Sequence, residues 1–191
     1  SRRRARFLRR LRRRRRGRRT IGLPAAGVDD RPAIVRATDD HAIRGRSAGS
    51  PAVIAVVQRV RRAEVRTESP PRSAGIGPGL CVLLGVEVGD GDDEADWIAR
   101  KLARLRVFAD DAGRMNRDLA AIDGGVLLVS QFTLAGDCSR GNRPSFVRAA
   151  APDEGRRLYE RVRDRLAAGG VSVATGVFGA VMEVELVNDG P

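Results

Sequence analysis

With 191 residues, 42% of them hydrophobic, the chain can bury a core of ordinary domain size with residues to spare for a tail, which excludes a mini-protein dependent on staples. Its 36 Lys and Arg against 24 Asp and Glu give +12, but residues 1–52 hold 17 Arg and four Asp, so residues 53–191 carry 19 basic and 20 acidic residues, a net of −1. The positive charge therefore lies wholly in the N-terminal segment, and a broadly basic surface on the remainder is excluded.

Thirteen of the first 19 residues are Arg, and the stretch up to Gly49 has no period-2 or period-3.6 apolar pattern. Residues 1–52 are expected to be disordered. One reading makes the segment an arm that binds RNA phosphates by counterion release. The preferred reading makes it a non-native upstream extension, translated from a start placed too early, because the chain opens on Ser and a strand pattern begins abruptly at Val53. His41, the single histidine, lies in this segment and is given no role. No apolar run reaches the roughly 18 residues that span a bilayer, so no membrane partner is expected.

From Val53 the run VIAVVQRVRRAEVR is rich in β-branched residues and predicts a strand with one covered face. Ser69–Gly79 reads as a turn-rich hairpin connection, and Leu80–Val88 as a buried strand. In GDGDDEADWIARKLARLRVF, Ile98, Leu102 and Leu105 form one stripe of an amphipathic helix. Asp92, Asp93 and Glu94 crowd its start; stabilisation by the helix macrodipole is preferred to a metal site there. A loop with a short RMN element precedes a strand over Gly125–Leu134, and a polar loop leads into a helix over about Pro152–Ala168. Leu158, Val162 and Leu166 line one side of that helix, Pro152 suits its first turn and Gly169 its end. VSVATG and AVMEVELV are strands, the latter with Met182, Val184 and Leu186 facing one way. The expected class is α+β, with mixed or antiparallel, barrel-like β layers and two main helices packed on one side.

Residues 53–191 contain no histidine, so Ser-His-Asp, Cys-His and His-ligated metal chemistry are excluded. Cys81 sits in an apolar strand and Cys138 in a loop; two cysteines without a CxxC pair argue against a disulfide framework and fit a cytoplasmic compartment. No Gly-rich phosphate cradle or Walker lysine is present, and no cofactor is expected. Chemistry here must use backbone donors, hydroxyls or groups on the substrate. Two places suit it. In SQFTL, Ser130 to Leu134, a buried strand leaves the sheet and frees backbone N–H groups for an oxyanion, although strands often end in Ser or Thr. In NDGP, Asn188 to Pro191, a strand stops at Gly-Pro, which equally describes a plain terminal turn.

Taken together and in this order, these motifs make the chain resemble the D-aminoacyl-tRNA deacylase (D-tyrosyl-tRNA deacylase) family. Ser130, Gln131 and Thr133 match its Ser-Gln-x-x-Thr signature, and Asn188, Gly190 and Pro191 its Asn-x-Gly-Pro signature. IAVVQRV with Gln58 and Arg59, LLGVE, Met115-Asn116, RPSF and TGVFGAVMEVELVNDGP extend the similarity over residues 53–191.

The resemblance implies that fold, and a homodimer that hydrolyses the ester between a D-amino acid and the 3′-terminal adenosine of tRNA. It implies that the backbone around Phe132 and Thr133 forms an oxyanion hole and that Gly190-Pro191, in the cis form, enters from the partner subunit. Its carbonyls would fill the space an L side chain needs, so selectivity is exclusion, and glycyl-tRNA should also be cleaved. Arg59 would orient the Gly-Pro unit, and Phe146 and Met182 would line the adenosine pocket. Help from the terminal ribose 2′-hydroxyl would replace a protein base, with Thr133 as covalent nucleophile the alternative. Family members continue past Gly-Pro into a final strand, which this chain is expected to lack. The rival reading is a non-catalytic RNA-binding protein working through the Arg-rich arm; deleting residues 1–52 separates the two, since only the enzyme keeps deacylating.

Overall fold

The computed structural model describes residues 33–36 and 53–190. The expectations for residues 1–32 and 37–52, for His41 and for Pro191 lie outside the described residues. The sequence predicts no regular element before Val53, yet β1 (Ala33–Arg36) is a strand, paired antiparallel with Ile54–Val57. Those residues bond to β4 on their other side, and a free strand edge accepts any short extended segment in register.

β2 (Ile54–Glu68) is the long strand around which the sheet is built. After a turn at Ser69 and Pro70, the chain returns as β3 (Pro71–Ile76) along Ala63–Glu68, then as β4 (Gly79–Gly85) along Ile54–Val60. β3 corrects the sequence reading, which took Ser69–Gly79 as connection throughout. Its Pro, Ser and Gly content resembles a turn, but the far half of β2 supplies the partner that propensity alone does not show.

Helix α1 (Asp92–Ala103) follows, then the small β5 (Phe108–Ala109) and β6 (Met115–Arg117) pair, β7 (Gly125–Ser130), α2 (Pro152–Ala168), β8 (Ser172–Thr175) and β9 (Met182–Asn188). β7 lies parallel between β4 and β8, whereas β2 is antiparallel to β1, β3, β4 and β9. The sheet is mixed, and it curls until β3 comes against β8. A β-carbon on Gly79 would stand 2.0 Å from the Gly125 carbonyl oxygen, so glycine permits the close start of the β4–β7 pair.

Two apolar layers hold this arrangement. Leu80, Val82, Leu84, Val126 and Leu128 point to one face, covered by Ile98 and Leu102 of α1 and by Leu158, Val162 and Leu166 of α2. Cys81, Leu127 and Val129 point to the other, covered by Val60, Ala63 and Val65 of the curled half of β2. A register shift between Val60 and Arg62 lets β2 pass from the first layer to the second. β7 is buried on both faces, which is why GVLLV reads as a continuous apolar run.

Two of the three acids at the start of α1 are engaged by protein partners. Glu94 caps the Gly91 N–H (2.9 Å), while Asp92 pairs with Arg157 and Arg161, and Asp96 with Arg161 and Arg165. These largely exposed bridges fix how α1 lies against α2 and add little stability.

Candidate active site

β4 and β7 run parallel and in register, Leu84 beside Ser130, so their C-terminal ends leave the sheet together. Past Ser130 the backbone breaks from strand geometry at Gln131 (φ −144°, ψ 83°), whose N–H still donates to the Leu84 carbonyl (2.7 Å). A 3₁₀ turn over Phe132–Ala135 follows. The turn packs tightly on the end of β4: a β-carbon on Gly85 would lie 3.0 Å from both the Gln131 oxygen and Leu134 Cβ.

Within the turn, the Leu134 N–H donates to the Gln131 carbonyl (3.2 Å) and the Gly136 N–H to that of Thr133 (3.0 Å). The N–H groups of Phe132 and Thr133 come before these bonds and have no main-chain acceptor among the described residues. Start-of-helix donors left over in this way suit an anionic oxygen. The strand predicted through Leu134 stops at Ser130, where the backbone turns at Gln131 into the 3₁₀ turn.

Ser130, Gln131 and Phe132 form one wall of a cavity of about 560 Å³. Leu84, Val86 and Val129 contribute from the strand ends, Ala149 and Ala150 from the segment before α2, Pro152 and Tyr159 from α2 itself, and Phe178, Met182 and Val184 from the stretch after β8 and from β9. Among the described residues no Asp, Glu, Lys, Arg, His or Cys lines it. The Tyr159 hydroxyl donates to the Leu128 carbonyl (2.8 Å), and burial pushes its pKa up to about 12, so it offers no base. Burial likewise pushes the Cys81 thiol to about 11, and that side chain faces the second core layer. Among the described residues no group of three His, Cys, Asp or Glu stands together as a metal site.

Of the residues singled out from sequence, Ser130, Gln131, Phe132 and Met182 meet at this cavity. Thr133 is exposed beside it, its Oγ1 accepting from the Gln131 side-chain amide. Phe146 is absent from the lining; its ring stands edge-on to Phe132, centroids 5.2 Å apart, and supports that half-exposed side chain from behind.

Arg59, Asn188 and Gly190 form a second cluster that contributes nothing to the cavity wall. Arg59 Nε donates to the Asp189 carbonyl (2.5 Å), Arg59 Nη1 to that of Val107, and the Asp189 N–H returns a bond to the Arg59 carbonyl (2.9 Å). With its amide oriented to satisfy both neighbours, Asn188 donates to the Arg59 carbonyl (3.1 Å) and accepts from the Gly190 N–H (3.1 Å). The end of β9 is thereby clamped to β2 up to Gly190; Pro191 and the peptide bond before it lie outside the described residues.

The sequence reading missed a buried carboxylate pair. Glu87, 4% exposed, bridges to Arg148 (2.9 Å), and Asp90, 6% exposed, accepts the Glu87 N–H (2.7 Å) while its other oxygen has no partner. With the Val88 N–H on the Arg148 carbonyl (2.8 Å), they fix the segment that carries Ala149 and Ala150 into the cavity wall. Burial foremost, with Glu87 and Glu94 nearby, pushes Asp90 up to about 6. The signal was present in VEVGDGDD, but as a run of acids before a helix it reads as solvated surface.

The model of the family described as D-Tyr-tRNA(Tyr) deacylase matches residues 56–191. A D-aminoacyl-tRNA deacylase of Geobacter sulfurreducens is 54% identical over 137 residues, 72% of this chain and 90% of the relative. That of Deinococcus radiodurans is 56% identical over 137 residues, 72% and 94%. Among solved structures, the "c-Myc DNA Unwinding Element Binding Protein" superposes with a TM-score of 0.65 at 36% identity, over 71% of this chain and 91% of that one. A "probable eukaryotic D-amino acid tRNA deacylase" gives 0.64 at 16% identity over 73% and 95%, a likeness of fold alone.

Proposed function

The chain belongs to the D-Tyr-tRNA(Tyr) deacylase family and is a D-aminoacyl-tRNA deacylase, and from that premise we propose how this site does its work. The ester carbonyl of the D-aminoacyl group lies against Gln131–Thr133, and the N–H groups of Phe132 and Thr133 receive the oxyanion as water adds. The observation that carries this reading is the 3₁₀ turn at the cavity wall, whose first two N–H groups have no main-chain acceptor.

The described lining offers no protein base, so the substrate's own 2′-hydroxyl relays the proton, accepting one from the attacking water as it passes its own to the 3′-oxygen that leaves. The Thr133 hydroxyl has only an amide donor beside it, and an alcohol without a base is a poor nucleophile. Terminal adenosine occupies the apolar part of the cavity, where Met182, Phe178 and Tyr159 offer surface for a base.

Chirality is read by exclusion. The Asn188–Gly190 cluster is rigidly clamped yet stands apart from the cavity of its own chain, which supports delivery of Gly190-Pro191 to a partner's site in a homodimer. An L side chain would strike it, whereas a D side chain or glycine would not. Action on tRNA fits a cytoplasmic compartment; among the described residues no helix is long and apolar enough to cross a membrane.

The test is release of amino acid from D-tyrosyl-, L-tyrosyl- and glycyl-tRNA. Cleavage of the D-tyrosyl and glycyl esters with the L-tyrosyl ester spared is expected. A glycyl ester as resistant as the L-tyrosyl one would rule out steric exclusion.

A further inference from the structure

Residues 53–191 carry 19 basic side chains at a net charge of −1, so any grip on a polyanion must come from particular residues rather than from a field. Eleven of the 19 are in ion pairs with described carboxylates. Lys101 and Arg156 lie over the rings of Trp97 and Phe178, and Arg106 donates to the Asn116 carbonyl. That leaves Arg72, Arg100, Arg104, Arg140 and Arg143 without such a partner among the described residues, and two of these five share the loop that follows the 3₁₀ turn.

The loop, residues 137–145, is closed by reciprocal backbone bonds between Asp137 and Ser145 (2.8 and 2.9 Å). Both of its ends are fixed to the site. The Gly136 N–H donates to the Thr133 carbonyl, and Phe146 is set edge-on to Phe132. Asp137, its single carboxylate, accepts the Ser139 N–H (2.8 Å), and that bond holds it below the usual carboxylate range. Arg140 and Arg143 thus stand exposed and uncompensated on a short closed loop anchored beside the oxyanion turn.

We infer that Arg140 and Arg143 bind phosphodiester groups of the single-stranded 3′ end of tRNA, holding the strand that leads to the adenosine in the cavity. Guanidinium forks suit phosphate oxygens, and a loop pinned at both ends presents them at little entropic cost. The inference rests on the deacylase reading. It assigns to this loop a binding step separate from the chemistry at Phe132 and Thr133.

The test compares D-tyrosyl-tRNA with 2′(3′)-O-D-tyrosyl-adenosine, which has the ester and base but no phosphate. For Arg140→Gln/Arg143→Gln we expect kcat/KM on the tRNA ester to fall roughly ten-fold at low salt, carried by KM, and its salt slope to lessen by roughly 0.7 for each phosphate that is no longer neutralised. The adenosine ester should be hydrolysed within about two-fold of wild type. Arg100→Gln/Arg104→Gln, in the last turn of α1 and at its C-terminal cap and neither of them lining the cavity, should leave the salt slope unchanged. Equal losses on both substrates, or no loss on tRNA, would overturn the assignment. Wild-type protein that cleaves neither ester would overturn the deacylase reading and this inference with it.

Discussion

Thr133 is the residue on which two mechanisms diverge. Its backbone N–H leads into the oxyanion turn, while its hydroxyl accepts from Gln131 and touches no base. Thr133→Ala is therefore expected to keep most of the deacylase rate, with no acyl-enzyme detected by mass spectrometry after rapid quenching; near-complete loss with a trapped acyl-enzyme would favour the nucleophile. Asp90 makes a second prediction at this scale. Its folded pKa, about 6, stands above the ordinary 3.8, so the folded state holds its proton more tightly. That contribution is complete below the unfolded pKa and is lost as pH rises through about 6. Relative to Asp90→Asn, which keeps an acceptor for the Glu87 N–H, the wild type should lose about 1–2 kcal/mol between pH 4.5 and 7.5 in urea unfolding. Parallel pH profiles would sink the idea. The motif residues were legible in sequence as SQFTL and NDGP; Asp90 was not, because its burial depends on the segment at Arg148, 58 positions away.

The oxyanion turn depends on elements that meet end to end, and its weakest tolerance is at Gly85. An added β-carbon would press the Gln131 carbonyl and Leu134 at 3.0 Å, so Gly85→Ala should displace the turn before it unfolds the sheet. A fall in kcat of at least about ten-fold, with Tm lowered by only a few degrees, is expected from steady-state assay and calorimetry. Leu158 offers the contrast. It is fully buried between α2 and the sheet, so Leu158→Ala should cost about 2–5 kcal/mol in denaturant unfolding. Both helices, β4, β7 and β9 were visible as periodic or continuous apolar runs. β3 and β1 were not, since each exists by pairing with a part of β2 that lies far along the chain or on its other edge.

At the scale of the whole molecule, one chain holds the cavity wall and the clamped Asn188–Gly190 unit in different places. If the Gly190-Pro191 unit serves the partner's site, a Gly85→Ala subunit with a disturbed turn and a Gly190→Val subunit should complement each other. Mixing the two impaired variants under subunit exchange should raise activity to about a quarter of wild type, since half of the dimers would carry one intact site. No recovery, with exchange confirmed by mass spectrometry, would place both motifs in one subunit. By itself the sequence determined the class of fold, the absence of histidine from residues 53–191, and the two motifs that mark the family, because these follow from local residue order and composition. Only the tertiary structure decided which of those residues share a cavity, that Phe146 supports Phe132 instead of lining it, and that Arg140 and Arg143 are left uncompensated beside the site. Burial, counter-ions and free N–H groups are properties of what packs together, and neighbours in space are set by strand pairing across the whole chain.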